Sequence, residues 1–160
     1  MNSSEEFDLV VIGGGSGGYA AARTAFEKSA NIAVMDNAVE LGGLCILRGC
    51  MPSKTLIYSA EVLHLAKQGN VFGFESIDHD VNLAKMQKRK QEIIDEFAQY
   101  RKGQLEDGRF SLFRSKAKFI NRNSIKLDDG TIIRADNFVI STGSKISMPP
   151  VSGLDQGAFK

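Results

Sequence analysis

Short apolar runs and one alanine-rich stretch alternate along the first forty residues. Residues 9–12 form a run rich in β-branched side chains, which leads through five glycines and a serine into good helix formers. Residues 31–36 (NIAVMD) form a second apolar run bounded by polar residues. The pattern predicts strand, tight turn, helix and strand, a β-α-β unit whose right-handed crossover makes the strands parallel.

Two later stretches carry apolar residues at helical spacing. The first predicts an amphipathic helix that begins near Pro52 and ends near Gly69. Its spaced apolar residues are Leu56, Ile57, Ala60 and Leu63. Residues 70–80 are predicted as a loop, and residues 83–102 as a second helix. On one side of this second helix we expect Met86, Ile93, Ile94, Phe97 and Tyr100.

From residue 110 onward the pattern changes to short segments typical of strands. FSLFRSKAKFI, SIKL, TIIRA and NFVIST follow one another, with DDG at residues 128–130 as a turn. We expect a small antiparallel β-meander whose last run returns to the main sheet. The predicted fold class is therefore α/β, Rossmann-like, with a parallel sheet, two long helices and a small antiparallel meander.

Composition and charge exclude several classes of function. The 160 residues are 42% apolar and 24% charged, with a net charge of +1, so nothing indicates a nucleic-acid partner or an acidic tail. The first apolar run stops at glycine, well short of a signal sequence or membrane span. We therefore expect a cytoplasmic protein that binds neither nucleic acid nor membrane.

The glycines after the first strand carry the first chemical signal. Gly13, Gly15 and Gly18 satisfy G-x-G-x-x-G between a predicted strand and a predicted helix, and Asp36 follows eighteen residues after the last of them. This arrangement is typical of a dinucleotide site: the helix N-terminus presents N–H groups to a pyrophosphate, and the aspartate accepts hydrogen bonds from ribose hydroxyls. The motif does not separate FAD from NAD.

Cys45 and Cys50 lie within GGLCILRGCMPSK, residues 42–54. A regular helix would set their Cα atoms roughly 8 to 9 Å apart, whereas a disulfide requires less than about 7 Å. A bridge therefore needs a loop or an irregular helical turn, which Gly49 and Pro52 could provide.

Three kinds of cysteine site come into question. A structural disulfide is unusual in the cytoplasm and would add little stability across so short a loop. A zinc site needs about four ligands, and the two histidines of the chain, His64 and His79, show no ligand spacing. We therefore predict no metal site and favour redox chemistry.

The segment GGLCILRGCMPSK resembles the active-site signature of the flavoprotein pyridine nucleotide-disulfide oxidoreductases, the family of dihydrolipoamide dehydrogenase, glutathione reductase and mercuric reductase. The N-terminal glycine motif agrees with this family. Residues 138–153, FVISTGSKISMPPVSG, are similar to its second flavin motif. Two features depart from the pattern: Leu44 stands where threonine is common, and the filler ILR, which ends in Arg48, replaces the more usual polar-apolar filler similar to NVG. A polar contact to FAD is therefore expected to be lost, and assignment to a named subfamily is weakened.

The resemblance implies FAD as the bound cofactor and a role for each matching residue. Cys45 would be the outer thiol that exchanges with substrate, Cys50 the inner thiol against the flavin, and Lys54 a residue near the reactive edge of the ring. As an alternative, Lys54 is a solvated lysine in the first turn of a helix. The cofactor-binding residues would be Gly13, Gly15, Ser16, Gly18, Asp36, Gly43, Thr142 and Gly143.

For the whole chain, the resemblance implies that residues 1–160 are the FAD-binding, N-terminal segment of a longer enzyme whose NAD(P)-binding, central and interface domains are absent here. Electrons would pass from NAD(P)H through FAD to the Cys45–Cys50 disulfide and on to a small-molecule or lipoyl-type disulfide, as in dihydrolipoamide dehydrogenase. The full-length protein would be a homodimer, and the isolated segment would not complete turnover.

Three alternatives remain open from the residues. They are mercuric-reductase-like reduction of a metal ion, a non-catalytic nucleotide-binding module, and a plain NAD-binding Rossmann domain.

Overall fold

The computed structural model describes residues 4–76, 80–145, 147 and 149–152. Its strands are β1 (Ser4–Ile12), β2 (Ile32–Met35), β3 (Ser111–Phe113), β4 (Ala117–Asn121), β5 (Ser124–Leu127) and β6 (Ile132–Ile140). Its helices are α1 (Ser16–Phe26), α2 (Gly43–Arg48), α3 (Cys50–Lys67) and α4 (Leu83–Glu106), with a short 3-10 helix at Gly69–Phe72. The predicted α/β class, with two long helices, is confirmed.

One six-stranded sheet, ordered β3-β2-β1-β6-β5-β4, carries the fold. The central strand β1 pairs in parallel with β2 and with β6, and β2 pairs in parallel with β3. The strand β5 pairs in antiparallel with β4 on one side and with β6 on the other. The β-α-β unit and the meander that returns to the main sheet are thus confirmed.

The predicted division of the last 50 residues is wrong in two details. Residues 111–113, expected in the meander, form the parallel edge strand β3, because the long helix α4 supplies the crossover that a parallel neighbour of β2 needs. TIIRA and NFVIST, expected as separate runs, share the strand β6. Its first residues pair with β5 on one side while its full length follows β1 on the other.

Apolar side chains cover both faces of the sheet. Val10 and Val11, neighbours in β1, are fully buried in different clusters, because successive residues of a strand point to opposite faces. One cluster consists of strand residues, including Met35 and Ile133. The other packs Tyr19 of α1 and Leu105 of α4 against the sheet. The carboxyl ends of β1, β2 and β6 are therefore fixed relative to the start of α1.

The two long helices form where predicted, but their predicted apolar sides are partly wrong. In α4 the buried residues are Ile94, Ala98 and Leu105, whereas Tyr100 is 67% exposed. A step of about 100° per residue places Tyr100 about 120° around the axis from Ile94, so it turns away from the packed side. On α3, Thr55 is the buried residue among those described.

Some sequence predictions fall on residues outside the described ranges. These are His79, part of the predicted 70–80 loop, and positions 146, 148 and 153 of the second flavin motif. Within the described residues, no helix combines the length and apolar character needed to cross a membrane.

Candidate functional site

The glycine turn, residues 13–18, joins β1 to α1 through backbone contacts that leave no room for a side chain at Gly13 or Gly18. Gly13 has φ of +105°, and a Cβ there would lie 2.3 Å from the carbonyl oxygen of Ser141. A Cβ on Gly18 would lie 1.8 Å from the Gly13 carbonyl oxygen. The first glycine thus makes the turn and the last allows the helix to pack against it, as the motif predicts.

Gly15 and Gly43 bring the cysteine-containing segment against the glycine turn. Gly43 has φ of +74°, and a Cβ there would lie 2.5 Å from Cα of Gly15. Ser16 is the exposed first residue of α1. Among the described residues, no side chain caps the N-terminus of α1 and no acidic residue lies in its first turn. Its free N–H groups are therefore available to an anion.

Asp36 lies at the carboxyl end of β2, directly beside the glycine turn. Its Oδ2 accepts a hydrogen bond of 2.8 Å from the N–H of Gly14, and its Oδ1 accepts one of 2.9 Å from the N–H of Ala38. The carboxylate is half-buried. Each oxygen keeps a second lone pair, so Asp36 can still accept hydrogen bonds from ribose hydroxyls.

Ser141 connects the second predicted motif to the glycine turn, and sequence reasoning missed it. Its N–H donates to the carbonyl of Ile12 at 2.8 Å, and its hydroxyl donates to the carbonyl of Gly13 at 2.8 Å. The sequence signal that could have identified Ser141 is its position immediately before Thr142 and Gly143 in STGS. Both of these predicted residues are exposed.

A cavity of about 860 Å³ opens at this edge of the sheet. It brings together six of the predicted cofactor residues, namely Gly13, Gly15, Asp36, Gly43, Thr142 and Gly143. Ser16 and Gly18 do not line it, and Gly18 instead packs behind the turn. Its size suits a dinucleotide-sized ligand, and the cations Arg48, Lys116 and Lys145 also line it.

The two cysteines lie on either side of a break between helices. Cys45 belongs to α2 and Cys50 begins α3, with Gly49 between them at φ −126° and ψ −110°. A Cβ on Gly49 would lie 3.2 Å from Cα of Cys45, so the chain turns back on itself here. The expected irregular turn is confirmed, and the helix break falls at Gly49. Pro52 lies in the first turn of α3, where a proline is tolerated.

The thiols and Lys54 form one interacting group. Cys45 is half-buried, Cys50 is exposed, and both thiols are free. A hydrogen bond with Cys45, together with the charge of Cys45, raises the pKa of the Cys50 thiol, whereas the positive charge of Lys54 lowers it. Lys54 therefore lies near enough to influence the Cys50 thiolate. These three residues do not line the cavity, but their neighbours Leu44, Leu47 and Arg48 do.

The histidine in the described part of the chain lies apart from this site. His64 of α3 is hydrogen-bonded to Gln68 at 3.2 Å. Among the described residues, no three His, Cys, Asp or Glu side chains form a group that could hold a metal ion.

The thiol-bearing segment, residues 42–54, meets the glycine turn of a Rossmann-like sheet through Gly43 and Gly15. Residues 7–160 match the model of the family described as pyridine nucleotide-disulphide oxidoreductase. The chain belongs to this family, as its three motifs predicted.

Curated relatives carry two different names at similar levels of identity. Mercuric reductases of Lysinibacillus sphaericus and Bacillus cereus are 30% and 32% identical, over 96% and 94% of this chain. Dihydrolipoyl dehydrogenase of Bacillus subtilis is 32% identical over 94% of this chain. The chain spans 28%, 24% and 34% of these proteins in turn, so it matches about a quarter to a third of their lengths.

A solved structure supports the fold. The chain resembles the HOCl-induced flavoprotein disulfide reductase RclA of Escherichia coli, solved as a Cu(II) complex, with a TM-score of 0.73 at 24% identity. The match covers 92% of this chain and 31% of that protein.

Proposed function

We propose that this chain binds FAD at the cavity beside the glycine turn and passes electrons from NAD(P)H, through FAD, to a redox-active Cys45–Cys50 disulfide. In this proposal residues 1–160 act as the FAD-binding portion of a longer, homodimeric enzyme, which supplies the NAD(P)H site. The observation that carries the proposal is the contact of Gly43 with Gly15, because it joins the thiol segment to the nucleotide turn.

The chemistry of the cavity fits a dinucleotide such as FAD. A pyrophosphate carries negative charge, and the uncapped N-terminus of α1 offers N–H groups and a favourable dipole beside Gly15. Asp36, already fixed by two backbone N–H groups, is placed to accept from ribose. Apolar lining from Ile12 and Leu44 would cover the rest of the ligand.

The thiol pair fits a disulfide that is formed and broken. A thiolate is the species that attacks a disulfide. The interaction with Cys45 raises the pKa of the Cys50 thiol, and the positive charge of Lys54 acts against this rise. Cys45 takes the role of exchanging with the substrate and Cys50 that of facing the flavin. Bound FAD would supply the two-electron exchange between nicotinamide and thiols.

A dihydrolipoamide-type disulfide is our first choice of substrate class. The relative named dihydrolipoyl dehydrogenase supports this choice, with 32% identity. Mercuric-reductase-like reduction of a metal ion is the second candidate, because relatives with that name match at 30% and 32%. We also propose that the protein acts in the cytoplasm. Its net charge of +1 gives no strong field that would attract nucleic acid.

The test begins with the visible spectrum of the purified chain and the mass of any cofactor it releases. Dihydrolipoamide is then added without oxygen to the wild type and to Cys50→Ser. We expect a yellow protein that releases FAD and gains a long-wavelength thiolate–flavin absorption band on reduction. The Cys50→Ser variant should keep the FAD and lose the band.

Three other results would contradict parts of the proposal. A yellow protein without the band separates the thiols from the flavin and supports a non-catalytic nucleotide-binding module. A colourless protein that releases NAD supports a plain NAD-binding Rossmann domain. A band that forms with dithionite but not with dihydrolipoamide removes the support for the lipoyl-type substrate and favours the metal-ion candidate.

A further inference from the structure

Arg48, the last residue of α2, is a charged group of the cavity that has no partner in the described part of the protein. Its side chain is exposed and lines the cavity of about 860 Å³ beside the glycine turn. Among the described residues it makes no hydrogen bond or ion pair. A guanidinium carries five N–H donors, so Arg48 can bind a ligand without giving up a contact to these residues.

Another arginine at this edge of the sheet is already occupied by the backbone. The Nη2 of Arg114 donates to the carbonyl oxygen of Ala38 and lies 3.4 Å from that of Val39. Arg114 does not line the cavity. It therefore serves to hold the loop after β2, whereas the guanidinium of Arg48 remains available to a ligand.

The docking of α2 brings Arg48 close to the start of α1. A Cβ on Gly43, the first residue of α2, would lie 2.5 Å from Cα of Gly15 and 3.5 Å from the backbone nitrogen of Ser16. Arg48 follows five residues later, about 7.5 Å along the helix axis. Because side chains of a helix lean toward its N-terminus, the side chain of Arg48 leans back toward Gly43 and the N–H groups of α1.

The face of α2 that carries Arg48 is otherwise apolar at the neighbouring turn. Leu44 and Arg48 are four residues apart, so they lie about 40° apart around the helix axis, and both line the cavity. Leu44 is 44% exposed and its side chain has no hydrogen-bond donor. The methylene groups of Arg48 can cover Leu44 while the guanidinium reaches the ligand.

The charges around the cavity favour a negatively charged ligand. Three cations line it, namely Arg48, Lys116 and Lys145, together with two carboxylates, Asp36 and Glu40. One of these carboxylates, that of Asp36, is already held by two backbone N–H groups. Among the three cations, arginine is the side chain that matches a phosphate group with two parallel hydrogen bonds.

We propose that Arg48 is a further ligand-binding residue of the cavity: its guanidinium reaches past Leu44 and donates hydrogen bonds to the pyrophosphate of the dinucleotide. The N–H groups of α1 bind the pyrophosphate from one side, and Arg48 binds it from α2. The identity of the dinucleotide as FAD rests on the proposed function, whereas the contact itself requires a pyrophosphate and no flavin.

The test measures the Kd values of ADP-ribose and of FAD for the purified chain by calorimetry. ADP-ribose contains the pyrophosphate but no flavin. Arg48→Met keeps an unbranched side chain and removes the charge, and it should weaken the binding of both ligands about tenfold. Arg122→Met removes an exposed arginine between β4 and β5, outside the cavity, and should leave both Kd values unchanged.

Three further measurements separate a direct contact from general attraction. Arg48→Lys keeps the charge without the planar donor pair, so it should recover part of the lost affinity. Added salt should weaken the binding of ADP-ribose less in Arg48→Met than in the wild type, because one charge pair fewer is screened. Adenosine, which has no phosphate, should bind both proteins alike. If circular dichroism shows that Arg48→Met does not fold, Arg48→Gln takes its place.

The outcomes distinguish this proposal from the proposed function. Equal Kd values of ADP-ribose in the wild type and Arg48→Met, or full recovery in Arg48→Lys, would overturn the pyrophosphate contact. A loss for FAD alone would place the guanidinium at the flavin and overturn it too. A wild type that binds ADP-ribose but not FAD contradicts the proposed function alone, and the variants are then compared with ADP-ribose. A wild type that binds neither ligand contradicts both.

Discussion

At the glycine turn, backbone atoms of three segments meet: the turn itself, the end of β6 at Ser141, and Gly43 of α2. At the thiol segment, residues 42–54, side chains and a helix break set the geometry. There Cys50 and Lys54 are exposed, and Thr55 is the buried residue that the structure describes on α3. The comparison separates a binding edge that is fixed by close backbone packing from a thiol pair that is placed by a helix break at Gly49.

The two regions should therefore respond differently to mutation. A Cβ has no space at Gly13 or Gly18 of the glycine turn, so small changes at these positions act on folding and on cofactor affinity. At the thiol segment Cys50 and Lys54 are exposed, so changes to these two side chains act on reactivity more than on stability.

The largest effect is expected for Gly18→Ala. The new Cβ would lie 1.8 Å from the carbonyl oxygen of Gly13, which forces α1 away from the turn. We expect a loss of about 3 kcal/mol or more in the free energy of unfolding, measured by denaturant titration. Gly17→Ala is the matched control, since no described atom lies within 4 Å of its Cβ. It should be neutral or stabilising by up to about 1 kcal/mol. Equal stability of the two variants would refute the close packing.

Asp36→Asn tests whether one side chain serves both the turn and the ligand. The carboxylate accepts from Gly14 and Ala38 with different oxygens, whereas an amide has one acceptor oxygen. We expect a loss of about 1–2 kcal/mol in stability and a fall of about tenfold in FAD affinity, by calorimetry. Asp136→Asn on β6 is an exposed control. If FAD affinity is unchanged in Asp36→Asn, the ribose contact is wrong.

The sequence was sufficient to predict much of the rigid edge. Gly13, Gly18 and Asp36 are required by close backbone approaches and by the end of a strand, so their chemical reasons are local and visible in the spacing. The contact between Gly15 and Gly43 was not predictable, because it depends on how α2 docks on α1. Ser141 was not predicted because its contact also depends on tertiary packing: its hydroxyl donates to the carbonyl of Gly13, 128 positions earlier in the chain.

The helices illustrate a second limit. Apolar residues at helical spacing predicted α3 and α4, yet Phe97 is 42% and Ile57 is 59% exposed. Periodicity gives a helix and its approximate apolar side, but tertiary packing decides which part of that side is covered. Arg101 lies about 20° around the axis from Ile94, on the packed side of α4. Its stacking on Tyr19 was not predictable because a charged residue in a helix is usually solvated.

Gly49→Ala tests the break that holds the two thiols together. Its Cβ would lie 3.0 Å from the carbonyl oxygen of Leu44 and 3.2 Å from Cα of Cys45, so these neighbours must shift. We expect a loss of about 1 kcal/mol in stability and a slower formation of the disulfide from the reduced protein, followed by thiol titration. Gly103→Ala, with no described atom within 4 Å, is the control. Unaltered disulfide formation would show that the thiol geometry does not depend on Gly49.

The smallest effects concern the charges around Cys50. Its pKa is raised by the hydrogen bond and charge of Cys45 and lowered by Lys54, so the two neighbours should have opposite influences on its thiolate. Cys45→Ala should speed the alkylation of Cys50 near neutral pH, because the thiolate becomes easier to form. Adding Lys54→Met should slow it again, by about two- to threefold, since the charges are exposed and screened.

Lys118→Met, an exposed lysine on β4, is the charge-matched control. High salt should shrink the difference that Lys54→Met produces, because screening weakens an exposed charge pair. A rate that is indifferent to Lys54 at low salt would favour the solvated lysine over a role near the thiols. The stability loss of Gly18→Ala should show no such salt response, because the atoms that a Cβ would meet there are uncharged. One salt titration of both variants therefore sharpens the contrast between the two regions.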